Sequence, residues 1–314
     1  DFNGGIISMS HELHLHKIGP INDCRLPLDS FTILTGPQAN GKSTAAKAVY
    51  FFRSVKQDIL SIMMQGGPNA VTGDKSSTWN TVLKQRMKDK FLQLFGTSWV
   101  MPSDMRMEYQ YSKDVSITVS LEDNYNDPSK NYLVIDFSKS IENYLEALSL
   151  HIFTNITPAQ KEHEEKKLNE LFDDPFEPVF IPAGRNLLTL LSTQLNYIFT
   201  SLEDSQLRNI DYVTKRYTEL ILRLKPVFAH GMEGIANRMK DDPTQSKKYE
   251  RICPALNVLM DQAKEIMQST YRYVDGEERL YLSDDSYVKI NLASSGQQEV
   301  VWVFNLLFYY LSED

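Results

Sequence analysis

Cysteine is almost absent from this chain: Cys24 and Cys253 are the only two in 314 residues. Two thiols cannot build the disulfide framework of a small secreted domain, which predicts a reducing, cytoplasmic setting. Long hydrophobic runs are also missing. The longest, Val300 to Leu311, is too short to cross a bilayer and is interrupted by Asn305, so no membrane partner is expected. No charged segment followed by an apolar one opens the chain, and no secretory signal is visible. Positive charge is in deficit, with 33 Lys and Arg against 41 Asp and Glu and a net charge of −8. That argues against a protein coated for nucleic acid, though a local basic groove stays compatible with it. Internal repeats and low-complexity tracts are missing too. What remains is 42% hydrophobic and 24% charged, the composition of a globular protein with a large core or two lobes. The sequence starts at Asp1 rather than Met, so the natural beginning is expected upstream.

The most informative stretch is Gly36-Pro37-Gln38-Ala39-Asn40-Gly41-Lys42-Ser43. It fits G-x-x-x-x-G-K-[ST], the phosphate-binding P-loop. A strand-like run, Phe31 to Thr35, leads in, and a helix-like run from Thr44 to Tyr50 leads out, which is the context the motif requires. In such a loop the backbone N–H groups face the phosphates, Lys42 reaches the β- and γ-phosphates, and the Ser43 hydroxyl sits on Mg²⁺. Thr44 continues the helix N-terminus, and Gln38 and Asn40 shape the turn. A glycine turn with a chance lysine is the bland alternative. The expected ligands are ATP and Mg²⁺.

A second motif lies near the other end: Leu292-Ala293-Ser294-Ser295-Gly296-Gln297-Gln298-Glu299, followed by the apolar helix from Val300 to Leu311. A serine and backbone N–H groups at a helix N-terminus form an anion site. From these residues alone, an ordinary N-cap serine with glutamines on a solvated first turn is the better reading. Paired with the P-loop, the stretch resembles the L-S-G-G-Q signature of ABC-type ATPases. Ala293 stands at the leucine position, Ser294 at the serine, Gly296 at the second glycine and Gln297 at the glutamine. Ser295 departs from the first glycine. The resemblance implies that Ser294, Ser295, Gly296 and Gln297 meet the γ-phosphate held by a partner subunit's P-loop.

Periodicity gives the organisation. His11 to Lys17 alternates like a strand, and Cys24 to Leu28 is a candidate to pair with it. A helix is predicted from about Lys42 to Met64, a loop from Gln65 to Asp74, and a helix from Trp79 to Phe95. Met105–Tyr111, Val115–Leu121 and Tyr132–Phe137 read as a three-stranded meander. Ile141 to Leu171 reads as largely helical, Glu177 to Arg185 as a buried strand ending in a loop, and Asn186 to about Met267 as helical with a break near Asp241-Asp242-Pro243. Strands return at Tyr271–Tyr273, Arg279–Leu282 and Tyr287–Ile290. The expected class is α/β: an ABC-ATPase-type P-loop head with a β-meander lobe and a helical insertion. The expected divisions are 1–138, 139–270 with a core strand near 177–183, and 271–314.

About 250 residues separate Lys42 from Ser294, further than in a transporter nucleotide-binding domain, and the inserted helices lack sustained a/d heptads. With the Phe180-Ile-Pro-Ala-Gly-Arg185 stretch, this resembles the ABC-type ATPases of prokaryotic defence and DNA-maintenance systems. They include the OLD family and the ATPase subunits of Septu- and PARIS-like systems. That resemblance implies an ATPase acting as a head-to-head dimer or larger homo-oligomer, with a toxin or nuclease as effector. An ATP-gated scaffold that holds such a partner without needing hydrolysis is the alternative, and a small-molecule P-loop kinase leaves Ser294–Gln297 unexplained. Nucleic acid is a possible partner that the net charge does not indicate. Such ATPases place an apolar strand ending in Asp-Glu after the signature helix, where the Asp orders Mg²⁺ and the Glu orients water. Here the residues stop at Ser312-Glu313-Asp314, so a continuation carrying the catalytic carboxylates is expected and no catalytic residue is assigned. Asp136, at the end of Leu133-Val-Ile-Asp136, is a look-alike that fits a meander strand better.

Weaker candidates complete the reading. His14 and His16 lack a third metal ligand nearby and suit a half-exposed strand face. Lys17 and Arg25 occupy positions where related ATPases line the adenine, or are ordinary surface charges. Arg185 is either a phosphate sensor or a member of a structural ion pair. Gln65 is a weak candidate for sensing Mg²⁺. Phe304, Leu307, Phe308 and Leu311 form an i, i+3, i+4, i+7 stripe that predicts a core face.

Overall fold

The structure, a computed structural model, describes residues 11–123, 131–151, 153, 156–186, 188–189 and 211–313. Contacts divide the chain into two compact units, Asp1–Phe180 and Ile181–Asp314, a boundary inside the segment 139–270.

The first unit is built on a five-stranded antiparallel sheet, order β2-β1-β3-β4-β5. Its strands are β1 (His11–Ile18), β2 (Ile21–Leu28), β3 (Arg106–Ser112), β4 (Val115–Asp123) and β5 (Asn131–Phe137). The predicted meander is therefore present, and the predicted β1–β2 pair extends it. Period-two alternation sets the register. Leu13 faces Tyr109, Leu15 faces Met107, Met107 faces Val119 and Val119 faces Ile135, so one face is continuously apolar and buried. Helices α1 (Lys42–Arg53) and α4 (Trp79–Phe95) cover that core with Ala48, Phe51, Phe52, Leu83, Met87 and Phe91. Each such fully buried leucine or phenylalanine contributes about 1.5–3 kcal/mol relative to exposure. Asp136 lies on β5 opposite Thr118, exposed on the outer face, which is the meander position.

Two helical predictions are refined. The expected helix over 42–64 divides at Ser54 into α1 and α2 (Val55–Met64), where the Ser54 hydroxyl bonds back to the Phe51 carbonyl at 2.9 Å. The helical stretch 141–171 divides into α5 (Lys139–Leu148) and α6 (Pro158–Leu171), the latter opened by a capping box of Thr157 with Gln160. The loop 65–74 contains a short helix, α3 (Pro68–Thr72), started by proline at its first turn.

Two predicted strands do not form. Phe31–Thr35 joins neither sheet, with Phe31 80% and Ile33 69% exposed. Residues 177–183 likewise join neither sheet and are largely half-buried. Both described sheets are antiparallel, and with the helices they make a mixed α/β fold. Strand-like composition specifies a surface that fits a pleat, whereas a strand also needs a neighbour to take its N–H and C=O groups.

The second unit packs helices α7 (Tyr212–Leu224), α8 (Gly231–Asp241), α9 (Ser246–Met267) and α10 (Ser295–Glu313) with a three-stranded antiparallel sheet, β6 (Thr270–Val274), β7 (Glu277–Ser283) and β8 (Ser286–Lys289). The predicted break near 241–243 separates α8 from α9. The core gathers Tyr217, Phe228, Leu256, Tyr271, Leu280, Trp302 and Phe308. Of the predicted 304/307/308/311 face of α10, Phe308 is buried, Phe304 and Leu311 pack half-buried against the core and Leu307 is exposed; the other fully buried positions are Gln298, Val301, Trp302, Asn305, Leu306 and Ser312. Among the described residues no helix is long and apolar enough to cross a membrane.

Candidate functional site

The loop from Gly36 to Gly41 is a backbone structure before it is a set of side chains. Gly36 has φ 143° and Gly41 83°, conformations that glycine tolerates, and Ala39 takes the left-handed φ of 66° despite its side chain. Gly41 is the N-cap of α1, and the first helical bond runs from Ala45 N to Gly41 O at 2.8 Å. The N–H groups of Lys42, Ser43 and Thr44 precede that bond and have no acceptor within the helix, as at any helix start. No acidic residue stands in the first turn. The dipole end and three donors therefore face outward together.

Lys42 curls back over the loop and donates from Nζ to the Gly36 carbonyl at 2.9 Å and the Pro37 carbonyl at 2.6 Å. Its ammonium thus sits across the loop it closes. Gln38, Asn40 and Ser43 are exposed, Thr44 is half-buried, and a Cβ added at Gly36 would meet nothing within 4 Å. Positive charge, open space at Gly36 and unpaired N–H donors occupy one small region, which suits an anion with several oxygens.

Both ends of α1 are anchored. At the N-terminal end the β1–β2 turn packs against Gly41; a Cβ there would come within 2.9 Å of Ile21 Cδ1 and closer still to its Cγ1. At the other end Arg53 grips Asp174 through Nε at 2.7 Å and Nη2 at 2.6 Å. Lys56 donates to Asn169 Oδ1 at 2.9 Å, to the Phe176 carbonyl at 3.2 Å and to the Asp174 carbonyl. Burial pushes the Asp174 pKa up, but the hydrogen bonds and charge of Arg53 outweigh it and hold the carboxyl below its ordinary 3.8. Burial also lowers the Lys56 pKa. Sequence reasoning missed this cluster, since Asp173-Asp174-Pro175 reads as a solvated turn.

The second motif opens α10 as a capping box. Ser294 Oγ accepts from Gln297 N at 3.3 Å, and Gln297 Oε1 accepts from Ser294 N and Oγ at 3.0 Å each. Gln297 Nε2 also donates to the Met267 carbonyl at 2.8 Å, and Gln298 Nε2 to the carbonyls of Ile290 and Ala293. Ser294, Ser295 and Gly296 stay exposed. The cap and the proposed anion contact thus share one serine. A comparison with protein-family models and with curated proteins gives no match.

The weaker candidates find structural roles. Arg185 Nε donates to the Glu299 carbonyl at 2.8 Å and its Nη2 pairs with the Glu299 carboxylate at 3.0 Å, fixing it to the N-terminal part of α10. His14 Nε2 and His16 Nδ1 both lie 3.0 Å from Asp23 Oδ1. Those two hydrogen bonds hold the Asp23 carboxyl below its ordinary value. Lys17 pairs with Asp104, and Arg25 lies 3.8 Å from Glu12. Gln65 Nε2 donates to Ser61 Oγ at 2.9 Å, at the end of its own helix. Among the described residues no group of three His, Cys, Asp or Glu could hold a metal ion.

Proposed function

We propose that this chain is a nucleotide-binding ATPase head of the ABC type, taking Mg·ATP at residues 36–44 and closing on a second copy of itself. The observation that carries the reading is the loop itself, in which Lys42 reaches across to the Gly36 and Pro37 carbonyls above an acid-free helix N-terminus. In this proposal Lys42 exchanges those carbonyls for phosphate oxygens, a charge-assisted contact stronger than the neutral one it replaces. The N–H groups of Lys42, Ser43 and Thr44 contribute fixed dipoles, and the Ser43 hydroxyl is the side chain placed to hold Mg²⁺, which would neutralise phosphate charge. Ser294, Ser295, Gly296 and Gln297 form the second anion site, offered to the nucleotide on the other copy. By its resemblance to defence and DNA-maintenance ATPases, the output is control of a toxin or nuclease effector.

Nucleotide binding and sedimentation, measured together on the protein with Mg·ATP, test this reading. The wild type should bind Mg·ATP and self-associate when nucleotide is present. Lys42→Ala should do neither. Ser294→Arg should still bind nucleotide but not associate, because a bulky cation at this helix N-terminus opposes the dipole and blocks the opposing phosphate. Nucleotide-dependent association of Ser294→Arg to the wild-type extent would overturn the paired-head arrangement.

A further inference from the structure

We propose that the outer face of the β6-β7-β8 sheet binds single-stranded nucleic acid. Register builds this face in rows. Arg272, Arg279 and Lys289 stand opposite one another across the three strands, and Thr270, Tyr281 and Tyr287 form the adjacent row. The alternate residues Tyr271 and Leu280 point the other way, into the core. With strands about 4.8 Å apart, the three cations span about 10 Å.

The side chains interleave. The Arg272 guanidinium lies 4.8 Å from the Tyr281 ring centroid and that of Arg279 lies 4.6 Å from Tyr287. The two tyrosine rings are 5.4 Å apart and tilted by 40°. Tyr287 is 42% exposed. Rings and guanidinium planes are the surfaces on which unstacked bases lie, and every base offers a π-face to them.

Charge points the same way. Like charges directly opposite one another in a sheet destabilise it. Glu277 relieves part of the row, accepting from Arg279 at 3.1 Å and Lys289 at 2.5 Å, and Asp275 lies 3.8 Å from Arg279. Among the described residues no carboxylate pairs with Arg272. A row of three cations is thus retained on a chain whose net charge is −8. A phosphate backbone beside exposed bases satisfies both rows at once. A duplex hides its base faces, and an acidic peptide leaves the tyrosines unused. This proposal does not rest on the P-loop reading.

Anisotropy of a fluorescein-labelled oligothymidylate of about 15 nucleotides, titrated with the full chain across about 50–200 mM salt, tests it. Three neutralised phosphates predict a slope of about −2 in log affinity against log salt. Tyr287→Ala should weaken binding about 5- to 100-fold, whereas Tyr287→Phe keeps the ring and the affinity. Arg272→Gln should reduce the slope by about 0.7 with an unchanged circular dichroism spectrum, and it carries the test if Tyr287→Ala fails to fold. Lys42→Ala should bind the oligonucleotide as the wild type does. Absence of binding at the lowest salt, tighter binding of a duplex of equal length, or competition by polyglutamate as effective as by unlabelled oligothymidylate would each overturn the proposal.

Discussion

Gly41 meets a demand that no side-chain-bearing residue satisfies: φ of 83° with Ile21 pressed against its Cα. Gly41→Ala should destabilise the protein by about 1–3 kcal/mol in urea unfolding, from the left-handed backbone and the displaced Ile21 together. It should weaken nucleotide binding as the loop shifts. The glycine was legible in the motif, but its neighbour Ile21 was not, because nothing in a sequence says which distant turn packs on a loop. Asp174 was hidden for the same reason. Its depressed pKa gives a pH signature: the Arg53–Asp174 contribution is whole above about pH 4 and is lost as pH falls below the ordinary 3.8 through the folded-state value. Asp174→Asn should cost about 3 kcal/mol near neutral pH. That is the low end for a broken buried pair, since the Arg53 side chain keeps 29% exposure to water. Denaturant midpoints near pH 7 and pH 3 should therefore lie closer together in the variant than in the wild type.

At the scale of elements, the well-read segments were those whose pattern and boundaries agreed. Helix α4 begins after a Thr78 cap and ends at Gly96, where the periodicity placed it. The meander strands alternate cleanly because one face is core. Phe31–Thr35 and residues 177–183 misled because apolar, β-branched composition reports a preference for pairing and not the presence of a partner. The face of α10 was legible in Phe304, Phe308 and Leu311, but Leu307 misled because the helix is apolar nearly all round, and the buried stripe includes the polar Asn305. The start of α10 carries a separable prediction. Ser294→Asp should preserve stability, since aspartate caps as well as serine and suits the dipole, yet its charge would repel a phosphate. Ser294→Ala should instead lose about 1 kcal/mol of stability. If Ser294→Asp retains nucleotide-dependent association, as judged by sedimentation, Ser294 is a cap and no more.

At the scale of the whole molecule, the two motifs fall in different compact units, the P-loop in Asp1–Phe180 and the Ser294–Gln297 turn in Ile181–Asp314. Their separation by about 250 residues was readable from the chain, as were the element types on either side. The antiparallel meander of the first sheet was readable from its alternation, whereas the strand order β2-β1-β3-β4-β5 was not, because nothing in the chain says which distant strand β1 joins. The account as a whole rests on Lys42 and the loop it spans. Its most direct test is equilibrium titration of a fluorescent ATP analogue with Mg²⁺ into wild type and Lys42→Ala, compared at equal folded fraction. Loss of one charge-assisted contact to phosphate is worth about 1.5–3 kcal/mol, so the variant should bind at least about 10-fold more weakly. Equal affinity in the two proteins would contradict the assignment of residues 36–44 as a nucleotide site.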